Sequence, residues 1–388
     1  MKRIEYIDLI RGYALVCIMI NHVPGSVLSH ATISHLAFSD AAEIFVFVAG
    51  WLVGSIWLRI AAKSGAPAAR RRFLTRAGEL YIAYLVGAVG MVGLSVLLTR
   101  IGFAHDVVWS GFADRMAQSP FAFLFDVARM FTQPNLADVL LLYVAVMLMS
   151  CAVVPLLIRW PLVTLAGSAL MWYNAGWLNG LLPTEREEGG FLFNPFGWQM
   201  LFFTGAAIAI HGRALMSVLR PHAGAVTGAA TVICAAGVYY GLGRQIPAIG
   251  DSATYEAFRG LLGNLDKWSL DEVRFVGLLA MAWLAAVPGR EVMDRMATSR
   301  AGRTLSLVGR HGLPCFILGV MLTVVGDALN TAAGDGVAAR LGTDILLTAL
   351  LVGAACVLQA RAAAAQAVRA RVRAKPTPAV ARPGRDTA

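Results

Sequence analysis

About ten stretches of this chain are apolar for long enough that a helix built from each would cross a bilayer, and a water-soluble core has no place for so many. They lie at 8–29, 40–61, 77–99, 136–157, 161–182, 196–212, 222–242, 272–289, 305–326 and 341–363. The runs are continuously apolar and do not alternate residue by residue, so helices are expected and a β-barrel is not. Composition agrees: 58% of residues are hydrophobic and only 14% charged, with a mean hydropathy of +0.66. The expected fold class is therefore an all-α polytopic integral membrane protein of about ten transmembrane helices.

Lys and Arg between spans set orientation. Lys2 and Arg3 precede the first span, while Arg59, Lys63, Arg70, Arg71, Arg72 and Arg76 follow the second. Arg213 and Arg220 follow the sixth span, and Arg290, Arg295, Arg300 and Arg303 follow the eighth. The opposite connections are poorer in basic residues: 30–39 has none, and 183–195 balances Arg186 with Glu185, Glu187 and Glu188. Both termini are expected to be cytoplasmic. The net charge of +10 then reflects this bias and attraction to anionic lipid, with no nucleic-acid partner. A cleavable signal peptide is not expected, because Asp8, Arg11 and His22 interrupt the first run. Five scattered cysteines, with no Cys-x-x-Cys pair, give neither a disulfide framework nor a metal site. One membrane domain is expected over 1–361. Residues 362–388, rich in Ala, Arg and Pro, read as a disordered cytoplasmic tail.

Ionisable residues inside apolar helices are costly, so they usually face a cavity or a partner. Here they concentrate in the first two spans. At 3.6 residues per turn, Asp8, Arg11 and His22 fall within about 60° of one another, on a side continued by Leu15 and Ile18. Arg11 and His22 are roughly 16 Å apart along the axis, so a cavity joining them would link both leaflets. On the second span Glu43, Phe47, Gly50 and Gly54 share a face, and the Gly50–Gly54 spacing suits close helix packing, with the first span as natural neighbour. Each feature also has a plainer role. His22 can be a hydrogen-bonded core histidine, Asp40 and Glu43 can simply start a helix, and Asp8 with Arg11 can be an interfacial ion pair.

Asp8-x-x-Arg11-Gly12, Asn21-His22-Val23-Pro24-Gly25, Thr32-Ile33 and Phe38-Ser39-Asp40-Ala41-Ala42-Glu43-Ile44-Phe45-Val46-Phe47 together resemble the OpgC family of bacterial inner-membrane proteins. Weaker similarity runs through Pro134 to Tyr143, Phe193 to Gln199, Leu265-Asp266-Lys267 and Gly309 to Leu313. Two departures stand out. Where the family has a histidine shortly after an arginine, this chain runs Arg274-Phe275-Val276-Gly277, and Gly309 is followed by Arg310-His311-Gly312 where Gln-His-Ser is usual. No catalytic ring is assigned after Arg274.

The resemblance implies an O-acyltransferase of the bacterial inner membrane. It would carry a succinyl or similar acyl group from cytoplasmic acyl-CoA to hydroxyls of periplasmic glucans, or of another envelope glycan. Succinyl-CoA would be a co-substrate, with no tightly bound cofactor. On that reading His22 is the general base that takes the proton from a sugar hydroxyl, with Glu43 or Asp40 orienting the ring. Arg11, steadied by Asp8, would hold CoA phosphates or a succinyl carboxylate, and Arg71, Arg72 and Arg76 would extend that patch. Asn21, Asn135, Asp138, Trp198 and Gln199 would line the sugar or acyl path. A homo-oligomer or a complex with glucan-synthesis proteins is compatible with the same sequence. So are a proton-coupled transporter, for which intramembrane His, Asp and Glu are equally expected, and an inactive assembly partner.

Overall fold

The computed structural model describes residues 5–334 and 336–374, and among these there are helices and no strands. The principal helices are α1 (Glu5–His22), α2 (Ala41–Arg100), α3 (Val139–Arg159), α4 (Pro161–Tyr173), α5 (Pro195–Leu219), α6 (Ala223–Gln245), α7 (Glu272–Ala286), α8 (Arg290–Thr298), α9 (Arg300–Arg310), α10 (Gly312–Ala332) and α11 (Val337–Ala374). Every apolar stretch expected from the sequence is at least partly helical. By length and composition, five helical segments among the described residues can cross a membrane, or six if α7 and α8, which meet at 75°, count as one broken span.

That number falls below ten for identifiable reasons. The 60 residues of α2 contain two of the expected spans. Gly65, at φ 82° and ψ 164°, breaks the helix between them, with Pro67 just beyond. Trp57 and Phe73 lie on either side of the break and stack with ring centroids 5.6 Å apart. In a straight helix they would be about 24 Å apart, so the two arms fold back on each other as a hairpin. Likewise α5 and α6 follow one another across a short 3₁₀ turn at Arg220–His222. The stretch 161–182 stops being regular at Asn174, and α7 has only 15 residues, about 22 Å of helix. α1 is 18 residues long but carries Glu5, Asp8 and Arg11, which explains its low apolar content.

The glycine pair of the second span packs elsewhere than expected. A Cβ on Gly50 would stand 1.9 Å from the Phe202 carbonyl oxygen, and one on Gly205 would stand 2.3 Å from that of Phe47. α2 and α5 therefore touch backbone to backbone, through small residues on both sides. α1 makes its own close contact with α9: a Cβ on Gly12 would lie 1.9 Å from the Leu305 oxygen, and one on Gly309 1.9 Å from that of Asp8. It still borders α2 and α10. At the other end of the chain, α11 continues to Ala374, so residues 362–374, expected as part of a disordered tail, are helical. Alanine and arginine are good helix formers, which accounts for the extension. Residues 375–388 lie outside the described part.

Candidate active site

α1 ends at His22, and the chain between it and α2 doubles back through a 3₁₀ turn at Leu28–Ala31 and a short helix at Ile33–Leu36. Side chains bolt this segment in place. Asn21 Nδ2 donates to Ser34 Oγ at 2.6 Å, and its Oδ1 accepts from Thr32 Oγ1 at 2.7 Å. Asp344 on α11 accepts from the backbone N–H groups of Val27 and Leu28 at 2.9 and 3.0 Å. Gln245 Nε2 donates to the His35 carbonyl at 2.9 Å. The folded-back segment forms one wall of a cavity of about 670 Å³, within the usual range for a small-molecule site.

His22 lines this cavity, and its ring is exposed there. Nδ1 is 2.6 Å from the Ile18 carbonyl oxygen, which can only accept, so Nδ1 carries the proton and Nε2 the lone pair. Backbone geometry thus sets the tautomer that a general base needs. Neither carboxylate does so, contrary to the expected triad. Glu43 is fully buried and completes a capping box: its Oε2 accepts from the Asp40 N–H at 2.9 Å, while Asp40 Oδ1 accepts from the Ala42 N–H at 2.7 Å. Glu43 Oε1 takes the Nε–H of Arg274 at 2.6 Å, and Nη2 of the same guanidinium also pairs with it. Asp40 Oδ2 is 2.6 Å from Lys267 Nζ and 3.5 Å from Arg274 Nη2. Two acids and two bases therefore form a compact network beside the cavity that Asp40, Lys267 and Arg274 help to line.

Lys267 keeps its proton: burial disfavours the charge, but the carboxylates of Asp40 and Glu43 outweigh that and raise its pKa. Lys267 and Arg274 carry no role that the sequence alone assigns. The available signal was weak: a lysine in a connecting segment, and an arginine two residues into a helix. Their importance comes from the fold, which carries α7 to the start of α2.

The other expected residues separate into two groups. Asn21, Asn135 and Asp138 line the cavity with His22 and Asp40. Asn135 spends its polar atoms on structure, donating to the Val107 carbonyl at 2.7 Å and accepting from the Trp109 N–H at 3.4 Å. Asp138 caps α3 through the Val139 N–H at 2.9 Å. Trp198 and Gln199 do not line the cavity. Both are buried; Trp198 donates to the Trp268 carbonyl at 3.0 Å, and Gln199 is locked to Ser168 on α4 by two hydrogen bonds.

Arg11 lies below the cavity. The floor is formed by Leu15, Cys315 and Phe316, roughly one helical turn short of it. Arg11 sits with its guanidinium 5.8 Å from the Phe45 ring centre and its Nη2 2.7 Å from the place a Cβ on Gly312 would take. The polar face of α1 is thus open at His22 and closed by apolar side chains before Arg11. Asp8 lies 3.7 Å from Arg310 Nε. Arg72 and Arg76 pair with Glu79, and Arg71 is exposed on the same turn, all remote from the cavity.

Leu136, which lines the cavity, at φ 71°, and the buried Leu270 at φ 65° occupy the left-handed region that an L side chain seldom adopts. Strain of this kind persists where surrounding contacts hold a loop in a required shape, and it tends to gather at functional sites. No curated protein and no solved structure matches the chain. The family model described as OpgC protein matches residues 2–363, nearly the whole length, and on that match the chain belongs to the OpgC family.

Proposed function

We propose that the protein is a membrane-embedded O-acyltransferase of the bacterial inner membrane, with both termini cytoplasmic and about ten crossings. It transfers a succinyl or similar acyl group from acyl-CoA to hydroxyls of periplasmic glucans. Family membership supports an acyltransferase role in glucan modification. The observation that carries the reading is His22: an accessible ring in a cavity, with Nδ1 engaged by a backbone carbonyl and Nε2 left as the base.

In this mechanism a sugar hydroxyl gives its proton to His22 Nε2 as its oxygen attacks the thioester carbonyl. The tetrahedral adduct collapses with loss of the thiolate, which leaves with the proton returned by the ring. Lys267, held charged by Asp40, places a cation where negative charge builds on the carbonyl oxygen. Acyl delivery from the cytoplasmic side requires the floor at Leu15 and Phe316 to part toward Arg11, whose guanidinium suits the anionic groups of the donor. The test is transfer of label from acyl-labelled succinyl-CoA to glucan by the purified protein in lipid nanodiscs. Wild type should label the glucan, and His22→Ala should lose about 10²–10⁴-fold in rate while eluting as wild type does on size exclusion. Proton-driven uptake without labelled glucan would establish a transporter instead.

A further inference from the structure

The cavity has a second part that the proton-transfer chemistry does not use. Trp109 lines it and is 56% exposed, in a position fixed by two contacts. One face of the indole stacks on Phe112, with centroids 5.7 Å apart and planes 12° from parallel, so the opposite face is free. Its backbone N–H is tied to Asn135, in the same loop that carries Leu136 and Asp138. Asp138 is only 4% exposed. One of its oxygens caps α3, and the other is buried without any hydrogen-bond partner. Leaving a buried acceptor unpaired is costly, and native proteins seldom do so without a reason. The strained Leu136 lies between Asn135 and Asp138, and the loop is held in shape despite that strain.

An open aromatic face and a buried carboxyl oxygen in need of a donor fit one ligand class. A hexose ring has an apolar face that stacks on indole and an edge of hydroxyls that donate to carboxylates. We propose that this end of the cavity is a sugar subsite, in which Trp109 stacks on a glucose unit and the free oxygen of Asp138 accepts a hydrogen bond from its hydroxyl. Trp268, 43% exposed and braced edge-on by Phe193 with centroids 5.5 Å apart, gives a second aromatic wall. The purpose of the bound sugar rests on the acyltransferase reading, but the binding itself does not.

The experiment is isothermal titration calorimetry of the full chain in nanodiscs with a linear β-linked glucose hexasaccharide, in the absence of any acyl donor. Wild type should bind saturably. Trp109→Leu and Asp138→Asn should each weaken binding about tenfold, the first keeping bulk and the second keeping a capping side chain. Trp109→Phe should bind nearly as wild type does, and Trp177→Ala, at an exposed tryptophan outside the cavity, should be unchanged. No saturable binding by wild type, or unchanged affinity in both weakened variants, would overturn the subsite. Intact sugar binding with no acyl transfer would leave the subsite standing and overturn only the enzymatic reading.

Discussion

Arg274 holds a fully buried Glu43 and shares Asp40 with Lys267. Removing one member of such a network strands a charge in a poorly solvated place, which costs about 3–5 kcal/mol. Arg274→Ala should therefore lower the thermal unfolding midpoint in detergent by many degrees. Glu43→Gln should do so less, because it keeps the shape and still reaches the Asp40 N–H. Both should reduce activity through lost structure, so a variant that stays fully stable yet inactive would point to direct participation of Glu43 in the chemistry. His22 could be singled out in the sequence as an imidazole at the end of an apolar helix, and the structure puts it on the cavity wall. The roles of Asp40 and Glu43 were legible only as alternatives, and the capping box is the one the structure displays. Lys267 and Arg274 stand out in the sequence only through the family resemblance, with no role attached, because their partners lie more than 200 positions away. Trp198 and Gln199 looked like substrate contacts, but polar atoms on buried helices also serve to join neighbouring helices, and Ser168 and Trp268 take theirs.

At the scale of helices, the central contact is α2 against α5. Gly50 and Gly205 have no room for a methyl group, with backbone oxygens at 1.9 and 2.3 Å from the ideal Cβ positions. Gly50→Val should overpack this contact and cost roughly 1–3 kcal/mol, read as a lower unfolding midpoint. Gly87→Ala, elsewhere in α2 with nothing within 4 Å of its Cβ position, should be neutral or slightly stabilising. Equal effects at the two positions would contradict the packing described. The close-packing spacing at Gly50 and Gly54 was visible in the sequence. Its partner was not, since small residues mark a surface without naming what meets it. The hairpin within α2 was visible as two apolar stretches separated by Arg and Gly-Ala-Pro. Its continuity was not, because Pro67 follows Gly65 closely enough for helix to resume at once.

For the whole molecule, the proposed chemistry belongs to one end of a helical bundle, where the starts of α2, α3 and α7 meet the end of α1. Residues 363–368 of α11 are exposed, and none of the described residues that line the cavity comes from α11. Truncation after Arg361 retains Gln359, which meets His311 Nε2 at 3.2 Å, and should leave glucan modification unchanged in cells. Loss of activity on truncation would give the C-terminal helix a role that its position does not suggest. The most direct test of the central claim is mass spectrometry of periplasmic glucans from a host lacking this gene, carrying wild type or His22→Ala. The account predicts an acyl mass increment restored by wild type and absent with His22→Ala at equal membrane abundance. An increment restored equally by both would contradict His22 as the base, and glucans left unmodified by wild type would contradict glucan acylation itself.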